Sequence, residues 1–317
     1  MQKLVDKVVS GDLRSASRLI RMIDDGHPQS HEALKQLFPH CGGARVIGIT
    51  GPPGAGKSTL SSSLIDIIRQ RNKSVGVLAV DPSSPITGGA ILGDRIRMSR
   101  HALDEDVFIR SLASRGHFGG ITPATRGAIR VMDAMGKDYV IVETVGVGQD
   151  EVDIARLADT TLIVWVPGLG DNVQAMKAGI MEVGDVFVVN KAEHPDTAIT
   201  VNYLKSVFRQ TGSSGPIQRD WIPPVLETVA LNSRGIDELF KVIDEHAQYT
   251  SRASEYYLAR KRADCEVELR GFISREINHR ISRQLADGEK INAQVGQIIT
   301  GETDIYVVTD SLLQELE

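Results

Sequence analysis

Eight consecutive residues, Gly51-Pro52-Pro53-Gly54-Ala55-Gly56-Lys57-Ser58, carry the spacing G-x-x-x-x-G-K-S, and Thr59 follows. This spacing suits a phosphate. Glycines let backbone N–H groups turn inward where a Cβ would block the approach. A helix starting at Lys57 would aim its N-terminal amides and dipole at the anion. Lys57 is then placed to bridge β- and γ-phosphates, and the Ser58 hydroxyl to ligate Mg²⁺. Mg²⁺ prefers oxygen ligands and keeps several waters, so one or two carboxylates suffice. Three acids qualify. Asp81 and Glu143 follow apolar strand-like runs, and Asp94 lies in a glycine-rich stretch. Each alone is more often a helix cap or a solvated turn. Together, at successive strand ends beside a phosphate loop, they read as a metal set. Glu143 also opens Glu143-Thr144-Val145-Gly146, an acid followed by a glycine whose amide can sense a γ-phosphate.

A second cluster concerns the base. Asn190-Lys191-Ala192-Glu193 follows the run Val186–Val189. Guanine-binding proteins place N-K-x-D here: Asn reaches N7 and ties loops together, the Lys stem covers the ring, and the acid accepts from N1–H and the exocyclic amine. Adenine lacks that donor pair. Glu193 is one methylene longer than Asp and makes the same pair of bonds only if its helix sits slightly farther away. Val229-Ala230-Leu231 follows the last apolar run, where the Ala230 amide is suited to guanine O6.

These residues need a scaffold that brings strand ends together. Seven short runs read as strands: Val46–Thr50, Val75–Val80, Val107–Leu112, Tyr139–Glu143, Thr161–Val166, Val186–Asn190 and Leu226–Val229. They are continuously apolar, as in strands buried on both faces of a parallel sheet. Helical patterns over 58–71, 122–135, 171–182, 196–210 and 236–248 alternate with them. The order predicts an α/β, doubly wound, mostly parallel sheet with ligands at the carboxyl ends of the strands. Residues 4–38 read as helices, with Asp12 capping the second and Gly26-His27-Pro28 stopping it. Gly42-Gly43 reads as a linker. Leu258, Cys265, Leu269, Phe272, Ile273, Ile277, Ile281 and Leu285 mark a long amphipathic helix over 254–286. It either folds back on the α/β domain or packs against a second copy. The expected divisions are 1–43, 44–250 and 251–317.

Composition removes other classes. The 317 residues are 41% hydrophobic, 24% charged and 5% aromatic, with formal charge −5. This is a globular composition, and an acidic, aromatic-poor chain is not expected to bind nucleic acid. Arg260-Lys261-Arg262 sits among acids and reads as a solvated helix face. Cys41 and Cys265 are far apart and form no zinc spacing. The apolar runs fall well short of the roughly 18 residues of a membrane span, and the start has no apolar signal core. A reducing, cytoplasmic setting is expected, with a mitochondrial matrix left open.

Taken together, Gly51–Thr59, Asp81-Pro82-Ser83-Ser84-Pro85, Gly88 to Arg95, Arg115-Gly116, Glu143 to Gln149, Gly170-Asp171 and Gln174 to Glu182 resemble the MeaB/ArgK-type GTPases. The resemblance covers nearly the whole chain and thins after about residue 285. It implies a GTP-binding and GTP-hydrolysing metallochaperone that gates loading of adenosylcobalamin onto an acyl-CoA mutase, such as methylmalonyl-CoA mutase, and that protects and reactivates the mutase by removal of damaged cofactor. The cobalamin would be bound by the mutase, not by this chain. It assigns Asp81, Asp94 and Glu143 to the Mg²⁺ and switch set. A second switch would run from Gly146 to Glu151, with Gln149 a candidate to orient water. A third would run from Asp171 through Gln174 to Lys177, with Lys177 aiding hydrolysis once the mutase binds. It also makes the C-terminal helix a homodimer arm. Departures from the family pattern are Glu193 for Asp, Val229 for Ser and Gly184 for Ala.

Three rivals remain. An ATP-dependent kinase or transport ATPase shares the phosphate loop, but Asn190-Lys191 argues for guanine. A nickel-insertion GTPase would carry Cys/His motifs that this chain lacks. A direct cobalamin carrier would need D-x-H-x-x-G. Asp244-Glu245-His246-Ala247-Gln248-Tyr249 starts like that motif, but Thr250 follows and no glycine appears.

Overall fold

The computed structural model describes residues 1–81, 99–113, 122–144, 153–168, 180–211, 221–251, 255–284 and 288–314. Within these, two compact units divide between Tyr256 and Tyr257.

The first unit opens with three helices: α1 (Gln2–Val9), α2 (Leu13–Asp24) and α3 (Pro28–Leu37). Asp12 caps α2 by accepting from the Ser15 amide at 2.7 Å. The Gly26-His27-Pro28 stop does double duty. His27 caps a further helix whose first turn holds Pro28, a position where the missing N–H costs nothing. Val5, Val8, Ala16, Leu19, Ile20, Ala33 and Leu37 are buried in one core with a helix of the sheet domain. The N-terminal helices thus share a hydrophobic core with the sheet. The Gly42-Gly43 segment is pinned there, because the Asp133 carboxylate accepts from the amides of Gly42, Gly43 and Ala44.

The sheet contains β1 (Arg45–Thr50), β2 (Val75–Asp81), β3 (Val107–Ala113), β4 (Tyr139–Thr144), β5 (Thr160–Trp165), β6 (Val186–Asn190) and β7 (Val225–Thr228). Its order is β3-β2-β4-β1-β5-β6-β7, and every pairing is parallel. All seven expected strands are present, with ends moved by one residue at most. Helices α4 (Lys57–Gln70), α5 (Pro123–Ala134), α6 (Thr197–Thr211) and α7 (Ile236–Ser251) complete the unit. α4 and α7 share a core with one face of the sheet, through Leu60, Leu64, Ile65, Ile68, Leu239 and Phe240. α5 covers the other face over β2 and β4, and α6 covers it over β5 and β6. Each fully buried Leu or Ile contributes roughly 1.5–3 kcal/mol, so α4 is firmly seated on the sheet. The expected helix over 171–182 falls mostly outside the described residues, which hold only the helical turn Ile180–Val183.

The chain leaves β1 toward β2 and leaves β4 toward β5. Neighbouring strands β1 and β4 therefore send their connections in opposite directions. In open α/β sheets such a reversal marks where ligands bind, outside the carboxyl ends of the strands.

The second unit contains most of α8 (Glu255–Gln284), with α9 (Gly288–Thr300) and α10 (Ile305–Gln314). Leu258, Cys265, Leu269, Phe272, Ile273 and Ile277 of the expected stripe are exposed. The Leu285 position lies outside the described residues. No described helix is long and apolar enough to cross a membrane.

Candidate functional site

The phosphate loop joins the end of β1 to the start of α4. Gly56 sits at φ +88°, and a Cβ there would strike the Asn190 side chain. Gly51 is at φ +140°, and a Cβ there would strike the Val164 carbonyl of β5. The sequence rule thus has two local causes: left-handed backbone and neighbours already in place. Lys57 differs from a surface cation. It is only 6% exposed, and its ammonium donates to Gly51 O at 2.8 Å and Pro52 O at 3.0 Å. The cation is folded back across the loop it serves. Pro53 and Gly54 are exposed, while Ala55 and Ser58 are buried.

β4 lies beside β1 with Ile49 opposite Glu143. The Glu143 carboxylate is therefore delivered to the first turn of α4. Ser58 Oγ donates to its Oε1, and Ser61 Oγ donates to its Oε2 at 2.9 Å. The carboxylate is 5% exposed. Beneath it, Thr144 Oγ1 donates to Thr50 Oγ1 at 3.0 Å, tying the two strand ends together. A serine hydroxyl and a carboxylate in direct contact form an oxygen-only donor set, which fits a hard cation that also takes phosphate and water. Among the described residues no group of three or more His, Cys, Asp or Glu side chains could hold a metal by itself.

On the other side of β1, Asn190 ends β6 opposite Thr228 of β7. Its Nδ2 donates to Ala55 O at 2.9 Å. Its Oδ1 accepts from Thr228 Oγ1 and from the Ala230 amide, each at 3.1 Å. One buried amide side chain therefore locks the phosphate loop to the loop after β7. Ala230, expected to offer its amide to a base, here gives that amide to Asn190. Val229 is buried and Leu231 is 85% exposed. Lys191 is exposed at φ +57°, a left-handed conformation that turns the chain away from β6. Glu193 is exposed, in the turn before α6 rather than on the helix. The longer side chain is thus carried by a turn. Gly184 is tightly packed: a Cβ would come within 2.7 Å of Phe187 ring atoms.

Asp81 closes β2, and its side chain lies outside the described residues. Asp94, Gly146, Gln149, Asp171, Gln174 and Lys177 also lie outside them. His246, of the partial cobalamin motif, is 2% exposed. Its Nδ1 lies 2.8 Å from Thr160 Oγ1, and its ring packs edge-on against Trp221. It is a core histidine. Sequence reasoning passed over Ser61 and Ser63 as ordinary helix residues. Their signal was present, since three consecutive serines on a buried helix each need a partner.

A parallel sheet with a phosphate loop after its central strand and an Asn-Lys turn after a flanking strand defines a P-loop guanine-nucleotide protein. The profile of the methylmalonyl Co-A mutase-associated GTPase MeaB family matches residues 16–286, and this chain belongs to that family. A Pyrococcus abyssi protein named as a GTPase is 42% identical, covering 100% of this chain and 97% of its own. The Escherichia coli GTPase ArgK is 38% identical over 75% of this chain and 73% of its own. The mouse mitochondrial methylmalonic aciduria type A homolog is 30% identical over 84% of this chain and 64% of its own. A crystal structure titled LAO/AO transport system kinase superposes with TM-score 0.69 at 25% identity, covering 99% of this chain and 97% of that one.

Proposed function

We propose that this GTPase is a nucleotide-switched chaperone for an adenosylcobalamin-dependent acyl-CoA mutase of the methylmalonyl-CoA mutase type. The observation that carries the reading is the lock through Asn190. It joins the phosphate loop, at Ala55, to the base-side loop, at Ala230, within a chain matched to a mutase-associated family over residues 16–286. A protein built this way converts the presence of a nucleotide into the geometry of several loops at once.

In this reading Gly51 to Thr59 wrap the phosphates and Lys57 turns from its carbonyls to the β/γ bridge. Asn190, Lys191 and Glu193 hold the base, with Val229, Ala230 and Leu231 closing over it. Ser58 and Glu143, with Asp81 and Asp94, hold Mg²⁺, which when bound neutralises phosphate charge. Phosphoryl transfer to water needs positioning and positive charge more than covalent chemistry. The remaining positive charge is assigned to Lys177 in a mutase-ordered loop with Asp171 and Gln174, and the second switch to Gly146 and Gln149. Intrinsic hydrolysis is then slow and the partner accelerates it. The cobalamin belongs to the mutase. Residues 251–317 act as a homodimer arm, a role supported by the exposed stripe on α8.

Co-elution with methylmalonyl-CoA mutase on a sizing column, with GDP or a non-hydrolysable GTP analogue, tests the chaperone reading. A complex whose stability depends on the nucleotide is expected. No complex with either nucleotide at micromolar protein overturns it. The name of the structural relative raises a kinase reading. Competition between GTP and ATP at equal concentration separates the two, with strong preference for GTP expected here.

A further inference from the structure

Successive residues of an α-helix point about 100° apart. Three hydroxyls in a row therefore face three directions. On α4 they reach three different parts of the chain. Ser61 Oγ donates to Glu143 Oε2 at 2.9 Å, at the end of β4. Ser62 Oγ lies 3.0 Å from His101 Nε2 and accepts from Arg100 Nε at 2.9 Å, in the turn before β3. Ser63 Oγ donates to Ala230 O at 2.8 Å, in the loop after β7. All three serines are at most 5% exposed. Helix interiors rarely favour serine, because its hydroxyl competes for backbone partners. Ser63 also approaches the Thr59 carbonyl at 3.1 Å, so that competition is visible here. The shorter Ser63 bond, to Ala230 O, and those of Ser61 and Ser62 are nonetheless made to distant partners.

We infer that Ser61 and Ser63 are positioning residues with divided duties: Ser61 orients Glu143 for the metal side, and Ser63 orients the Ala230 loop for the base side. The inference rests on the guanine-nucleotide and Mg²⁺ reading above. Glu143 has two oxygens, and Ser58 takes one. With Ser61 on the other, the carboxylate cannot rotate about its last bond without losing a buried hydrogen bond. On the base side the hydrogen bonds close a ring. Ser63 holds the Ala230 carbonyl, the Ala230 amide holds Asn190, and Asn190 holds Ala55, one residue before Gly56 and α4. Loss of Ser63 opens that ring at one joint and leaves Glu143 untouched.

The two serines are each other's controls, since each variant deletes one buried hydroxyl from the same helix. Two quantities are read on the full-length chain by release of a fluorescent GDP analogue and by displacement. One is the Mg²⁺ concentration that half-maximally slows GDP release. The other is the ratio of GDP to ADP affinity in EDTA. Ser61→Ala is expected to raise the Mg²⁺ requirement by about three- to tenfold, one buried hydrogen bond's worth, with the EDTA ratio unchanged. Ser63→Ala is expected to lower the GDP/ADP ratio by a similar factor, with the Mg²⁺ requirement unchanged. Ser61→Cys and Ser63→Cys keep the volume and weaken the donor. They carry the same test if alanine unfolds the chain. Both variants moving both readouts, either one moving the other's readout, or neither moving its own overturns the division. A wild-type chain that binds GDP without Mg²⁺ dependence would instead defeat the underlying reading.

Discussion

Lys57 is a cation that the fold keeps buried. Its ammonium is buried and spans two carbonyls of its own loop. The cation is thus stored against dipoles from which a phosphate can take it. In the proposed role Lys57 makes charge-assisted contacts to the nucleotide phosphates; Lys57→Ala would remove them and leave the Gly51 and Pro52 carbonyls without that donor. A charge-assisted hydrogen bond contributes roughly 1.5–3 kcal/mol. The variant is expected to lose about a hundredfold in GDP affinity by calorimetry while remaining folded, with stability lowered by about 1–2 kcal/mol. Near-normal affinity would remove Lys57 from phosphate binding. Much at this scale was legible in the sequence, because the glycine and lysine spacing encodes backbone geometry directly. Ser61, Ser63, Thr50 and Thr228 were not, because each acts through a partner 38 or more residues away in sequence.

At the scale of elements, the anchoring of the Ser99–Asp106 segment to α4 has a pH signature. Burial pushes the His101 imidazole below its ordinary 6.5, and Arg100 reinforces that, while Asp66 and Asp104 oppose it. Arg69 pairs with Asp104 and Asp106 and holds the far end of the same segment. A histidine kept neutral by the fold takes up its proton more readily when unfolded. Its contribution is therefore fully present above pH 6.5 and is lost as pH falls through the depressed folded value. His101→Gln is expected to flatten the fall in thermal midpoint from pH 7.5 toward pH 5, relative to wild type. Parallel pH curves for the two proteins would exclude His101 as a source of the slope. The strands were legible because a parallel sheet writes them as uninterrupted apolar runs. The start of α3 was not, because Pro28 signals a stop and a start with the same letter. The sharing of a core between the N-terminal helices and α5 was also hidden, since it depends on which apolar faces meet.

At the scale of the molecule, the exposed stripe on α8 reads as an interface. Light scattering at micromolar protein is expected to find the full-length chain as a dimer. Truncation after Ser251 should give a monomer that still binds GDP, since the site residues all precede that point. A full-length monomer with nucleotide bound would set the arm aside. In the proposed function the GTPase is slow alone and is completed by its mutase. If the partner fixes Lys177 beside the β/γ-phosphates, charge stabilisation in a dry site supplies roughly 3 kcal/mol, a rate gain on the order of a hundredfold. By linkage, the mutase must also bind one nucleotide state better than the other if it alters nucleotide affinity. The most direct measurement is single-turnover GTP hydrolysis with and without adenosylcobalamin-dependent methylmalonyl-CoA mutase, for wild type and Lys177→Ala. The account predicts strong stimulation of wild type, with most of it lost in Lys177→Ala and the unstimulated rate nearly unchanged. Equal stimulation of both proteins would contradict the role of Lys177, and no stimulation of either would contradict the coupling itself.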